Sequence, residues 1–317
     1  MKPRIVFLGS PAAAVPSLRA AARLGDVVGV LSQPDRPAGR GRHPQPPPVA
    51  LAARELDLPL HQPAKVRTPD VVELLEGLRP DVILVVAYGK ILPPAILRVA
   101  PRGCVNVHFS LLPRHRGAAP VAHAILAGDE RSGVTLMVLD EGMDTGPVLV
   151  QRAVPIGESE TAGELTERLA TLGAELVESE LPKHLAGELA PQRQASEGAT
   201  LAPMLRKGDG AVRWDRPAAE VDRQVRAVTP WPGAYGFVDG RRWIVHRARP
   251  LPGVPSAGPG VLRVEGRHLT AGALDVSLEL LELQREGSRR MSVAEFLAGS
   301  APPAGATIRP GPGAAGE

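Results

Sequence analysis

A single cysteine, Cys104, occurs in 317 residues, which excludes an internal disulfide framework and any metal site built from several thiolates. His115 and His123 follow His108 with no second ligand at metal spacing, so no metal is expected. Lysine is scarce: only Lys2, Lys65, Lys90, Lys183 and Lys207 stand among 37 basic side chains. Arginine therefore carries the positive charge, and an isolated arginine marks nothing by itself. Aromatic residues make up 3% of the chain. No apolar run approaches the roughly 18 residues that a membrane span needs. The start, Met1-Lys2-Pro3-Arg4 and then Ile5-Val6-Phe7-Leu8, has no charged-then-apolar leader. A cytoplasmic chain without a membrane segment is the expectation. Nucleotide fingerprints are missing too. Gly9-Ser10-Pro11-Ala12 follows the first apolar run in place of G-x-G-x-x-G, and no G-x-x-x-x-G-K-[ST] occurs.

What is present is enough for two domains. Hydrophobic residues make up 44% and charged residues 22%, with a net charge of +3. The charge is uneven: residues 206–249 hold ten basic and five acidic side chains, whereas residues 1–200 are close to neutral. A basic C-terminal part suits a polyanionic partner; a solvated, merely arginine-rich face would look the same.

Short β-branched runs (Ile5–Gly9, Val27–Ser32, Val82–Ala87, Val105–Phe109 and Val134–Leu139) alternate with helical stretches at Ser17–Leu24, Ala50–Leu56, Asp70–Leu78 and Pro120–Leu126. This rhythm predicts an α/β, doubly wound sheet of buried parallel strands. Thr161 and Glu164 form a capping box for a long helix to about Leu185. Residues 1–189 are read as one α/β domain and 190–209 as a linker. Residues 210–300 are read as a β-rich unit with strands at Val212–Trp214, Trp243–His246, Val261–Val264 and Val276–Glu282, and 301–317 as a disordered tail.

The chemistry concentrates in residues 106–149, which contain Asn106-Val107-His108-Phe109-Ser110-Leu111-Leu112-Pro113 and Asp140-Glu141-Gly142-Met143-Asp144-Thr145-Gly146. Asn106 and His108, two apart on a strand, emerge on one face. An amide donor, an imidazole and a carboxylate are what acyl transfer to an amine requires: a donor for a developing oxyanion and a route for the amine's proton. Each residue alone has a bland reading, since Asn and Asp in turns commonly bond nearby backbone. The joint pattern closely resembles the active-site signature of folate-dependent formyltransferases, N-x-H-x-S-L-L-P followed by D-x-G-x-D-T-G. The resemblance implies a Rossmann-like formyltransferase fold and catalysis by Asn106, His108 and Asp144. It also implies 10-formyltetrahydrofolate as formyl donor, held by the turn Ser110, Leu111, Leu112 and Pro113 with Val86, Tyr88 and Gly89.

Further features resemble the methionyl-tRNA formyltransferases in particular. These are the arginine loop Gln33 to Arg42, the run Arg114 to Pro120, the basic C-terminal unit and Thr229-Pro230-Trp231-Pro232-Gly233-Ala234. They imply an OB-like β-barrel that holds tRNA, a monomer, and initiator methionyl-tRNA as partner. Arg36, Arg40 and Arg42 would grip the acceptor end, and Arg206, Lys207, Arg241 and Arg242 the tRNA body. Phe109, His115 and Met204 depart from the pattern expected there. Two alternatives remain at this stage. One is another folate-dependent enzyme, a sugar-nucleotide formyltransferase or a formyltetrahydrofolate hydrolase. The other is a catalytically dead nucleic-acid-binding relative.

Overall fold

A computed structural model describes residues 2–38, 43–299 and 301–311. Along the first part run β1 (Arg4–Gly9), α1 (Val15–Leu24), β2 (Asp26–Leu31), β3 (Arg36–Ala38), β4 (His43–Gln45), α2 (Pro48–Glu55), β5 (Leu60–His61) and α3 (Pro69–Leu78). Then come β6 (Val82–Val86), α4 (Pro94–Leu97), β7 (Cys104–His108), α5 (Pro120–Ala127), β8 (Arg131–Val138), β9 (Val148–Pro155) and α6 (Ala162–Ala186). The remainder holds α7 (Ala218–Ala227), β10 (Ala234–Val238), β11 (Arg241–Pro255), β12 (Leu262–Glu265), β13 (His268–Gly272), β14 (Val276–Arg285), β15 (Met291–Ser292) and α8 (Val293–Gly299). By contacts the chain divides into two compact units. One comprises Met1–Pro120, Arg131–Val154 and Thr166–Pro203; the other comprises Val121–Glu130, Pro155–Leu165 and Met204–Glu317.

The first unit is built on a seven-stranded sheet of order β5-β2-β1-β6-β7-β8-β9. Ile5, Val6, Phe7 and Leu8 of β1 are fully buried, as a strand covered on both faces requires. Burying each such side chain is worth about 1.5–3 kcal/mol. β1, β6 and β7 run parallel, so their C-terminal ends share one edge of the sheet. The register sets Val85 beside Asn106, and the loop after β6 thus opens next to the strand that carries Asn106 and His108. β8 departs from the all-parallel expectation: it pairs antiparallel with β7, with Met137 opposite Asn106 and Thr135 opposite His108. A strand buried on both faces reads as an apolar run whichever way it points, so its direction was not legible from composition.

α6 begins on the expected capping box. The Thr161 N–H donates to Glu164 Oε2 at 2.9 Å, and the Glu164 N–H donates to Thr161 Oγ1 at 3.3 Å. The Thr161 N–H first, then the Thr161 hydroxyl, which donates to Glu164 Oε2 at 2.8 Å, and the Arg247 guanidinium hold the Glu164 carboxyl below its ordinary range.

The second unit carries a six-stranded antiparallel sheet of order β10-β11-β14-β13-β12, with β15 on β14. Residues 306–309, expected in a disordered tail, pair with both of its edges. Phe237 and Arg309 exchange backbone bonds of 2.7 and 2.9 Å, while Leu262 N–H donates to the Ala306 carbonyl and Ile308 N–H to that of Gly260. The segment closes the sheet on itself, and Ile308 is buried. Gly236 and Gly260 make room: a Cβ at Gly236 would meet the Ile308 side chain, and one at Gly260 the Ile308 carbonyl. Ala, Pro and Gly around the segment hid one buried isoleucine that pairs at long range. Val212–Trp214, expected as a strand, contributes only a bridge of Ala211 to Tyr235 and the bond from Val212 N–H to the Tyr235 carbonyl.

Tyr88 tests the packing of the first unit. Its ring lies in the apolar cluster with Val6, Leu8, Leu92, Ile96 and Cys104, and its hydroxyl has no hydrogen-bond partner among the described residues. Burial pushes its pKa up to about 12. Above pH 10 the unfolded chain gives up a phenolic proton that the native state keeps, so stability falls from pH 10 to about 12. Tyr88→Phe is expected to retain or raise stability at neutral pH, by up to about 1 kcal/mol, and to lessen that alkaline loss. Urea unfolding across a pH series measures both.

Candidate functional site

His108 ends β7, 5% exposed. Its Nε2 lies 3.0 Å from the backbone oxygen of His115. A carbonyl only accepts, so Nε2 carries the proton in the neutral ring, and Nδ1 is the nitrogen that titrates. Nδ1 faces Asp144 Oδ2 at 3.7 Å. Burial lowers the His108 pKa, and the Asp144 carboxylate and the His115 carbonyl raise it; the net direction is down. At neutral pH the ring is therefore uncharged, and a proton reaching Nδ1 meets the carboxylate directly. The imidazole is oriented by the His115 carbonyl.

Asp144 sits at φ 52° on the loop after β8. Its Oδ2 accepts the Gly117 N–H at 2.8 Å. Gln194 Nε2 donates to the backbone oxygens of Asp144 and Gly146 at 2.8 and 2.7 Å, and Gln194 Oε1 accepts from the Arg116 guanidinium at 2.8 Å. The two aspartates of the loop motif divide the work. Asp140 Oδ1 accepts from the Gly142 N–H at 3.0 Å and Thr145 Oγ1 at 2.8 Å, shaping the turn, while Asp144 faces the imidazole. Gly146 is required because a Cβ there would run into the Val138 carbonyl.

Asn106 lies on β7, 9% exposed. Among the described residues no protein group hydrogen-bonds its side chain, so the amide remains free to donate elsewhere. The turn that follows is pinned from below. Thr135 Oγ1 donates to the Ser110 carbonyl at 2.6 Å and accepts the Leu112 N–H at 3.2 Å; Gln151 Nε2 donates to the Leu112 carbonyl at 2.8 Å. Ser110 Oγ donates to the Arg114 carbonyl at 2.7 Å, and the Leu112–Pro113 peptide is cis. Much of the turn's backbone is thus bonded within the unit, which leaves Leu111 and Pro113, both half-buried, as an apolar wall. Phe109 points away from it: its ring reaches Gly173 of α6.

Comparison with known proteins identifies the arrangement. The family profile described as formyl transferase matches residues 4–181, and the profile of the formyl transferase C-terminal domain matches 204–301. The chain belongs to the formyl transferase family. A methionyl-tRNA formyltransferase of Myxococcus xanthus is 48% identical over 299 residues, covering 94% of this chain and 95% of that protein. One of Geobacter sulfurreducens is 46% identical, covering 93% of each. At the level of fold, an N-formyltransferase of Helicobacter canadensis, solved with folinic acid and dTDP-3-aminofucose, superposes with TM-score 0.68 at 17% identity. It covers 90% of this chain and all of that one. HypX of Aquifex aeolicus in complex with tetrahydrofolic acid gives 0.63 at 20% identity, over 94% of this chain and 47% of that one.

As a formyl transferase, the chain brings Asn106, His108, Asp144 and the turn Ser110, Leu111, Leu112 and Pro113 into its first unit. The side chains of Val86 and Tyr88 are buried, so beside the site it is backbone that Ala87 (φ 47°) and Gly89 (φ 77°) expose. Arg36 is exposed on β3; Arg40 and Arg42 lie outside the described residues. In the second unit Arg206 caps a 3-10 turn, Lys207–Gly210. Arg241 begins β11, exposed, and the Arg242 guanidinium stacks 4.2 Å from the Tyr235 ring centroid. Sequence reading missed Thr135, Gln151, Gln194 and Thr200, which hold the site from below and behind. Only Thr135 left a trace, as a polar residue in an otherwise apolar strand.

The electrostatics are testable. Because the folded pKa of His108 is lowered, the unfolded chain takes up a proton near pH 6.5 that the native state refuses, and stability falls as pH drops below that point. Asp144→Asn removes a charge that raises the pKa. The His108 ring resonances, followed by NMR, should titrate below pH 6.5 in the native protein and lower still in Asp144→Asn.

Proposed function

We propose that this protein transfers a formyl group from 10-formyltetrahydrofolate to the α-amino group of methionine carried on initiator tRNA. The observation that carries the reading is the 48% identity with a methionyl-tRNA formyltransferase along 94% of the chain. Both units are included in that match, as in the two family profiles. The bound folate supplies the one-carbon unit. Leu111 and Pro113 would wall its ring, with Leu112 buried in the same turn, Ser110 fixing the turn and the backbone of Val86, Tyr88 and Gly89 along its edge. The turn, pinned by Thr135 and Gln151, fits that task.

The residues act as follows. Asn106 donates its side-chain N–H to the formyl oxygen as negative charge develops there. His108, neutral and with its lone pair at Nδ1, is placed to receive a proton. Asp144 would stabilise the imidazolium so formed, and the proton would pass on to the departing folate nitrogen as its bond to the formyl carbon breaks.

The formyl-transfer domain is assigned to residues 1–189 and the tRNA-holding domain to 210–300, with 190–209 between. Arg36, Arg40 and Arg42 would meet the acceptor end. Arg206, Lys207, Arg241 and Arg242 would hold the body by phosphate contacts. Lys207 and Arg241 meet no carboxylate among the described residues, which leaves their charge available. A cytoplasmic monomer suits this role; no helix among the described residues is long and apolar enough to cross a membrane.

Formyl transfer to charged initiator tRNA, compared with an amino-sugar nucleotide, tests the assignment: activity on the sugar alone would overturn it. Asn106→Ala, His108→Ala and Asp144→Ala should each lower kcat by about a hundredfold or more, and the losses should not add. Wild-type kcat in any of the three removes that residue from the mechanism. In the second unit, Arg241→Ala with Arg242→Ala should weaken initiator and elongator methionyl-tRNA alike and flatten the salt dependence of binding.

A further inference from the structure

The stretch from Gln192 to Ala202 has the composition of a tether, yet it is bonded at both ends to the first unit. At its start Gln192 and Val148 exchange backbone bonds of 2.8 and 2.7 Å. At its end it runs beside the loop after the Ser110–Pro113 turn. The Thr200 N–H donates to the Pro113 carbonyl at 3.4 Å, the Arg116 N–H to that of Thr200 at 2.9 Å and the Ala202 N–H to that of Arg116 at 2.7 Å. Two half-buried side chains of the stretch, Gln194 and Thr200, reach the backbone on which the His108–Asp144 pair depends. Thr200 Oγ1 accepts the His115 N–H at 2.8 Å. Gln194 Nε2 donates to the carbonyls of Asp144 and Gly146, and its Oε1 accepts from Arg116. That amide has one orientation only, because the reverse would set an oxygen against two carbonyls and an NH2 group against a guanidinium.

We infer that Thr200 and Gln194 are positioning residues for formyl transfer: Thr200 keeps the His115 carbonyl where it fixes the proton on His108 Nε2, and Gln194 keeps Asp144 opposite Nδ1. The inference rests on His108 and Asp144 carrying the transfer as proposed above. His108 has one acceptor at each nitrogen, the His115 carbonyl at 3.0 Å and Asp144 Oδ2 at 3.7 Å, and the nearer one holds the proton of the neutral ring. His115 stands at φ 58°, a conformation that a residue with a side chain keeps only where bonds impose it. Without the Thr200 hydroxyl its N–H loses that acceptor, and rotation of the residue swings its carbonyl away from Nε2. Asp144 then becomes the better acceptor and draws the proton to Nδ1, the nitrogen whose lone pair should receive the proton from the amine. A glutamate at 194 would keep Arg116 but set a carboxylate against the carbonyls of Asp144 and Gly146, displacing the loop that carries Asp144.

The experiment uses the full chain with nitrogen-labelled histidine. NMR reads the His108 tautomer in native protein and in Thr200→Ala, Thr200→Val and Thr200→Ser, beside kcat and KM for formylation of charged initiator tRNA. Native protein and Thr200→Ser should hold the proton on Nε2. Thr200→Ala and Thr200→Val should shift it towards Nδ1 and lower kcat by about tenfold or more, the scale of a small misplacement of reacting groups, with KM for both substrates held. Thr200→Ala, which adds no bulk, carries the reading if Thr200→Val fails to fold. Gln194→Glu should cost a similar factor by itself and little further in Asp144→Asn, since a residue that acts through Asp144 has nothing left to position there. A native tautomer and native kcat in the Thr200 variants overturn the inference. So do Gln194 and Asp144 losses that add in full, or a raised KM for tRNA with kcat kept, which describe a tether. If native protein formylates no charged tRNA, the proposed function falls, while the tautomer still decides whether Thr200 positions His108.

Discussion

Everything at the site hangs on one hydrogen bond, from His108 Nε2 to the backbone oxygen of His115 at 3.0 Å. It settles which nitrogen holds a proton at rest and turns the other towards Asp144. The acceptor is a backbone atom, so its position depends on the path of the chain, and that path is unusual: His115 lies at φ 58°. A left-handed conformation in a residue with a side chain costs about 1 kcal/mol or more and persists only where surrounding bonds impose it. Here the His115 N–H donates to Thr200 Oγ1 at 2.8 Å, and the neighbouring Arg116 is paired with the Thr200–Ala202 segment on its other side. The proton chemistry is thus set by a segment more than eighty residues downstream.

Burial is the second constraint, and it works against the carboxylate. Asp144 favours a charged imidazole, while desolvation of His108 disfavours it and prevails. The outcome is a base that is neutral in the resting protein yet has a counter-charge waiting 3.7 Å away. A dry environment makes that counter-charge more effective once a proton arrives. Motif glycines and polar residues around the pair serve geometry: Gly146 lets the loop pass the Val138 carbonyl, and Gln194 ties Asp144 and Gly146 to Arg116.

The second unit meets its own constraint differently. Its antiparallel sheet has two open edges, and residues 306–309 bond to both, burying Ile308 between them. Closure removes unpaired backbone and provides a rigid body for the arginines along β11. There Arg242 stacks on Tyr235, one of few aromatics in the chain. Stacking holds a guanidinium in place without neutralising it, which suits a surface offered to phosphate.

The short β3, β4 and β5 were not legible in the residue order, whereas the α/β alternation, strands β1, β2, β6 and β7, the α6 capping box and the group of Asn106, His108 and Asp144 were. Each depends on neighbours a few positions apart: periodicity, a four-residue cap, two side chains on one strand face. A motif match then joined the two segments that carry them. What the order of residues did not reveal depends on contacts between distant segments. The antiparallel direction of β8 is one case, since a doubly covered strand shows the same apolar run either way. The support from Thr135, Gln151, Gln194 and Thr200 is another, because a polar residue carries no mark of which backbone group it will reach. The burial of the Tyr88 ring, the pairing of 306–309 and the proton's place on His108 belong to the same class. The order of residues marked the candidate groups, and only the tertiary structure decided the tautomer of His108 and the orientation and surroundings of all three, because those are set by atoms brought together through folding.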